Sequence, residues 1–166
     1  YFFRSYPSDA FQGKFAAEYA YNILGARKVA VLYHISEWGT GIKDVFEQNF
    51  KAIGGEIIGE EGAPQDARDY RTQLTKIKAL NADYLYIPMY PDGAIVAVNQ
   101  ASELGITIKM LGGDSFGDPK FQKEVSGKAD ILYVEIKTGS SDDFKAKILA
   151  KTGGDQVTVG TAQAYD

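Results

Sequence analysis

The chain has 166 residues, 18 basic against 22 acidic side chains, a net charge of −4 and no cysteine. That length suits one domain able to bury its own core. The absence of any basic cluster argues against a nucleic-acid footprint, the absence of thiols removes disulfides, thiolate nucleophiles and thiolate metal sites, and a single histidine, His34, leaves little room for a histidine metal centre or a His-containing triad.

Residues 1–6 are aromatic-rich and read as an entering strand or linker. Pro7-Ser8-Asp9 then opens a helix, with Asp9 as N-cap and Gln12 completing a capping box. Its expected buried stripe is Phe11, Phe15, Ala16, Tyr19, Ala20 and Ile23, with Gly25 ending it. Residues 29–33 form a continuous apolar run with β-branched members, the pattern of a strand buried on both faces. A polar loop over 34–41 follows, carrying Trp38, the only tryptophan. A helix over 41–53 then places Ile42, Val45, Phe46, Phe50 and Ile53 on one face.

Residues 56–61 read as a short strand, nearer the sheet edge because of its acids. After a polar loop over 62–68, Asp69 is expected to cap a helix whose Tyr70, Leu74, Ile77 and Leu80 face inward. Residues 84–88 are another apolar strand, and Pro91-Asp92-Gly93 starts a helix with Ile95, Val96, Val98 and Leu104 apolar. Residues 107–111 make a fourth strand leading into Gly112-Gly113-Asp114-Ser115. A short helix over 119–125, a fifth strand over 131–136 and a helix over 142–151 follow; the tail over 153–166 is ambiguous. Strands alternating with helices predict an α/β, doubly wound, mostly parallel five-stranded sheet with helices on both faces, and with the first and third strands adjacent.

In such sheets ligands sit outside the carboxyl ends of the strands. Three strand-to-helix loops reach that edge, and they carry Trp38, Tyr90 and Asp114. Two aromatic faces with one carboxylate suit an organic cation, most simply an ammonium. Taken singly, each has a plainer explanation: Trp38 as packing, Tyr90 as a turn aromatic, Asp114 as a loop cap. Gly39-Thr40-Gly41 lacks the rest of a phosphate-binding motif. Gly139-Ser140-Ser141 lacks a base partner and the nucleophile elbow. Neither covalent catalysis nor a cofactor is indicated.

Phe3-Arg4-Ser5, Pro7-Ser8-Asp9, Gln12-Gly13, Val29-Ala30-Val31-Leu32-Tyr33, Ser36-Glu37-Trp38-Gly39, Asp69-Tyr70, Gln100-Ala101 with Leu104-Gly105, and Gly112-Gly113-Asp114 together resemble type I periplasmic binding proteins, in the leucine/isoleucine/valine-binding branch. The resemblance covers nearly the whole chain but only the second of that family's two lobes. It implies one α/β lobe over 1–166, excised from a two-lobed receptor without its first lobe and signal sequence. It also implies a periplasmic or extracellular location, with which a lipid anchor is compatible. The implied function is non-enzymatic capture of an amino acid for the inner-membrane permease of an ABC importer. By motif, Trp38, Tyr90 and Asp114 are the implied ligand contacts, Asp114 for the α-ammonium. The family's leucine binders carry Tyr and Glu where this chain has Trp38 and Asp114, which leaves an amide or an aromatic acid open as ligand. A sensory ectodomain of the same fold, and a flavodoxin-like or response-regulator-like domain, are the alternatives.

Overall fold

The computed structural model describes residues 8–134 and 141–153. The chain forms two compact units, Asp9–Glu135 and a smaller one drawn from Tyr1–Ser8 with Ile136–Asp166. In the larger unit, α1 (Asp9–Asn22), β1 (Lys28–Ile35), α2 (Glu37–Ala52), β2 (Glu56–Pro64), α3 (Arg71–Lys78), β3 (Tyr84–Ile87), α4 (Pro91–Glu103), β4 (Lys109–Gly112), α5 (Pro119–Val125) and β5 (Ile131–Tyr133) follow in order. The sheet is parallel throughout, in the order β2-β1-β3-β4-β5, so the first and third strands are neighbours as expected. In the smaller unit, α6 (Asp142–Thr152) is capped by Ser141, whose Oγ accepts from the Phe144 N–H, and ends at Gly153 in the left-handed region.

The apolar runs become the central strands because both of their faces are covered. All four residues of β3 are buried, as are Val29 to Leu32 in β1. Alternate side chains feed opposite cores. Val29, Val31, Tyr84, Tyr86 and Leu111 pack with α1 and α2, while Ala30, Leu32, Leu85, Ile87 and Met110 pack with α3, α4 and α5. Asp83 fastens the start of the sheet by accepting from the backbone N–H of Arg27 (2.8 Å) and Lys28 (2.9 Å). Those two bonds hold its carboxyl below the ordinary range.

Several boundaries differ from the sequence reading. Helix α2 begins at Glu37, not Gly41, because Ser36 acts as N-cap and accepts from the Gly39 N–H at 3.1 Å. Trp38 therefore stands on a first helical turn rather than in a loop. Asp9 is the first helical residue of α1, not its cap, and Gln12 is buried instead of completing a capping box. The buried stripe of α1 is also rotated. Ala16 and Ala20 are buried as expected, but Phe11, Phe15 and Ile23 are exposed, and Gln12, Gly13 and Ala17 face inward. The reason is close approach to α2: a Cβ on Gly13 would lie 2.9 Å from Val45 Cγ1 and 3.0 Å from the Ile42 carbonyl oxygen. Asp69 accepts from the Arg71 N–H at 3.1 Å but lies one residue before the Tyr70 cap position. Strand β2 runs on to Pro64 and β4 spans Lys109–Gly112. The end expected for the fifth strand, the strand or linker over 1–6, and the ambiguous tail beyond 153 lie outside the described residues.

Candidate functional site

At the carboxyl edge the chain ends β1 on a buried histidine. His34 is wholly buried, and both ring nitrogens are engaged. The Tyr90 backbone N–H donates to Nδ1 at 3.3 Å, and Nε2 lies 3.1 Å from the Tyr70 hydroxyl. With Nδ1 accepting, the neutral ring carries its proton on Nε2 and donates it to Tyr70. The Tyr70 hydroxyl in turn donates to the Ala67 carbonyl at 3.2 Å. Burial, then the nearby Arg68 guanidinium, hold the His34 pKa below its ordinary value. Burial likewise raises Tyr70, against the opposing pull of Arg68.

The loop between β2 and α3 is fastened by a second side chain. Gln100 on α4, 5% exposed, accepts from the Tyr70 N–H at 2.7 Å and donates to the Arg68 carbonyl at 3.1 Å. Gly93 makes the arrangement possible, since a Cβ there would press into the His34 ring and lie 2.8 Å from the Tyr70 hydroxyl. The result is a pocket of about 350 Å³ between the loops that follow β2 and β3. His34, Tyr90 and Gly93 line it together with Gln65, Asp66, Arg68 and Asp92.

Of the three residues singled out from the sequence, Tyr90 lines this pocket, Trp38 stacks beside it, and Asp114 follows β4. Trp38 and Tyr90 are stacked on each other, ring centroids 4.8 Å apart and planes inclined by 30°. They form one continuous aromatic surface, worth about 0.5–1.5 kcal/mol beyond the area buried. Tyr90 is exposed on its outer side. Asp114 opens a 3-10 turn, Asp114–Gly117, and its Oδ1 accepts from the Ser115 N–H at 2.9 Å. Ser115 Oγ donates to the Met89 carbonyl at 2.8 Å, which ties this turn to the residue before Tyr90. The turn packs tightly because Gly112 lies against the Phe116 ring, where a Cβ would not fit. Beneath it, Gln12 Nε2 and the Tyr86 hydroxyl are buried without hydrogen-bond partners. Burial, reinforced by the Asp114 and Asp9 charges, holds Tyr86 firmly protonated.

Sequence reasoning missed His34 as an organiser, and it missed Arg68, Tyr70 and Gln100 as its associates. His34 did carry a signal: a polar residue one position past a buried strand run and therefore at the sheet edge. Among the described residues, no group of three or more His, Cys, Asp or Glu side chains could hold a metal ion. None of the described helices is long and apolar enough to cross a membrane.

The fold, a parallel sheet of order 2-1-3-4-5, has counterparts among solved structures. The model of the periplasmic binding protein family matches residues 1–166. The chain belongs to that family. An amino acid binding protein of Pseudomonas aeruginosa is 30% identical over 138 residues, covering 83% of this chain and 37% of that protein. The Streptococcus pneumoniae branched-chain amino acid binding protein LivJ, solved with isoleucine, is similar at 28% identity with a TM-score of 0.78, covering 96% of this chain and 47% of that one. A solute-binding protein from R. palustris, solved with 4-hydroxybenzoate, shares the fold at 21% identity with a TM-score of 0.81, covering 98% of this chain and 47% of that one. The chain thus spans less than half the length of each of these relatives.

Proposed function

We propose that this chain is the second lobe of a two-lobed periplasmic receptor that closes on an amino acid and hands it to an ABC permease. The observation that carries this reading is the stacked Trp38–Tyr90 surface coupled to the Asp114 turn through Ser115 and Met89. In this reading the aromatic pair is the floor on which the ligand lies, and Asp114 accepts from its α-ammonium. The first lobe supplies the opposite wall and excludes water on closure. The family match and the relatives named for amino acid binding support it.

A second reading, in which the ligand is an aromatic acid, has its own support. The R. palustris neighbour is solved with 4-hydroxybenzoate, and a stacked Trp–Tyr pair is a natural platform for a flat ring. The test is Asp114→Asn in the full two-lobed protein, measured by calorimetry with amino acids and with their deaminated counterparts. A charge-assisted bond of about 1.5–3 kcal/mol corresponds to roughly one to two orders of magnitude in Kd for the amino acid and little for the deaminated acid. Equal weakening of both would mean that Asp114 does not read the ammonium. Tight binding of an aromatic acid alone would favour the second reading. Permease and ATPase genes beside the parent gene would favour transport over a sensory ectodomain.

A further inference from the structure

The pocket on the far side of Tyr90 is too polar for a hydrocarbon group. Four of its lining side chains, Gln65, Asp66, Arg68 and Asp92, carry exposed polar heads, and His34 adds a buried imidazole. An aliphatic ligand group placed there would strip water from these heads and return no hydrogen bond. Among them, Arg68 has capacity to spare. Its Nη1 donates to the carbonyls of Asp66 (3.2 Å) and Ala67 (3.1 Å) within its own loop, and it forms no ion pair among the described residues. The Asp92 carboxylate is already paired, with Lys120 Nζ at 2.8 Å. The guanidinium charge is felt at the pocket walls, secondary to burial at His34 and Tyr70 and to Lys120 at Asp92: it favours the neutral form of His34 and the ionised forms of Tyr70, where Asp66 opposes it, and of Asp92.

The position of this pocket limits which group of a ligand can reach it. Arg68 follows β2 and Asp114 follows β4, and the sheet order places β1 and β3 between them. Three strand spacings amount to roughly 14 Å. The α-carboxylate shares a carbon with the α-ammonium, so a ligand with a second acidic group at its far end spans this separation more readily than one whose only carboxylate sits beside the ammonium. A ligand held at Asp114 and lying across the Tyr90 ring presents its far end to the pocket that Arg68 lines.

We infer that Arg68 is a specificity-determining residue that reads a carboxylate at the far end of the ligand, whether the side-chain carboxylate of an acidic amino acid or the carboxylate of an aromatic acid. The inference rests on the solute-receptor reading above and names the ligand chemistry of that same site. Gln100 and the His34–Tyr70 pair serve it by holding the loop that carries Arg68.

The test is calorimetry on the full two-lobed protein with matched probes: L-glutamate against L-glutamine and L-leucine, and 4-hydroxybenzoate against 4-hydroxybenzamide. The wild type should prefer the acid in at least one acid–amide pair, and L-leucine should bind less tightly than that acid. Arg68→Gln should cut the acid-over-amide ratio by about ten- to a hundredfold. Arg68→Lys, which keeps the charge without the planar fork, should restore part of it. The Arg68 side chain is exposed and hydrogen-bonds only within its loop, so an unchanged melting temperature will certify each variant as folded. Tightest binding of L-leucine, or an acid-over-amide ratio untouched by Arg68→Gln, overturns the inference while leaving the receptor reading in place. Binding of none of these ligands overturns both.

Discussion

His34 is buried completely, yet it spends both ring nitrogens on the loops that frame the candidate site. A protonated ring could not accept from the Tyr90 N–H, so neutrality is built into the geometry. The sign of the resulting pH dependence follows. The folded pKa lies below the ordinary value of 6.5, so between that lowered value and 6.5 the unfolded chain takes up a proton that the native state refuses. Stability is therefore fully present above 6.5 and falls as the pH drops through this window, with a slope of at most about 1.4 kcal/mol per pH unit for one proton. Urea unfolding at pH 7.5 and 5.5 measures it, and His34→Gln should flatten that part of the profile; an equal slope in both proteins would relieve His34 of the role. Gly93→Ala probes the same contact from the other side. Its Cβ would press into the His34 ring, where neither His34 nor Tyr70 has room to move, and a loss of roughly 1–3 kcal/mol in unfolding free energy is expected. At this scale the sequence was only half legible. Trp38, Tyr90 and Asp114 could be assigned to the sheet edge because strand ends and helix starts are local signals. The His34–Tyr70–Gln100 network is built from bonds between residues 36 and 30 apart in sequence, and no spacing rule links them.

At the scale of elements, α1 shows how packing overrides a helical wheel. The expected stripe joins the large side chains Phe11, Phe15, Tyr19 and Ile23 to Ala16 and Ala20, whereas the buried face is a small one, with Gly13, Ala16, Ala17 and Ala20 beside Gln12. Hydrophobicity favours the large residues, but the structure keeps only Ala16 and Ala20 of that stripe inside, because α2 comes close enough to exclude a larger side chain at Gly13. The aromatic residues stack along the outside instead, Phe11 on Phe15 at 6.4 Å and Phe15 on Tyr19 at 6.1 Å. Gly13→Val should therefore destabilise the chain by about 1–3 kcal/mol through overpacking. Ile23→Ser, at a residue 66% exposed, should stay within about 0.5 kcal/mol. Chemical denaturation of the two variants distinguishes the faces, and the reverse ranking would restore the aromatic stripe to the core. The strands were far more legible. Val29 to Leu32 and Tyr84 to Ile87 are unbroken apolar runs, and only the centre of a parallel sheet buries both faces of such a run. The ends of β2 and β4 depend on pairing with neighbours, which the local pattern does not encode.

For the whole molecule, the proposed two-lobed receptor makes a prediction about what the open edge of the sheet can do alone. The chain covers 37% of its P. aeruginosa relative and 47% of LivJ, and its candidate contacts all lie just past the carboxyl ends of the strands, at one edge. A ligand resting there keeps one side in water. At about 4 Å, a pair of unit charges interacts by roughly 1 kcal/mol in bulk water and roughly 4 kcal/mol at an effective dielectric near 20. Covering the site is therefore worth about 3 kcal/mol for a single ammonium–carboxylate contact, or a little over a hundredfold in Kd. The stacked Trp38–Tyr90 surface gains in the same direction, since only a second wall desolvates the other face of the ligand. If the proposed receptor reading holds, the 166-residue chain should bind an amino acid ligand at least a hundredfold more weakly than the proposed two-lobed protein. Calorimetry on both, with the same ligand and buffer, measures the difference. It should also find a more negative heat-capacity change in the two-lobed protein, where closure buries apolar surface on the aromatic pair. Equal affinities would mean that this edge is sufficient by itself and that closure of a second lobe contributes nothing to recognition.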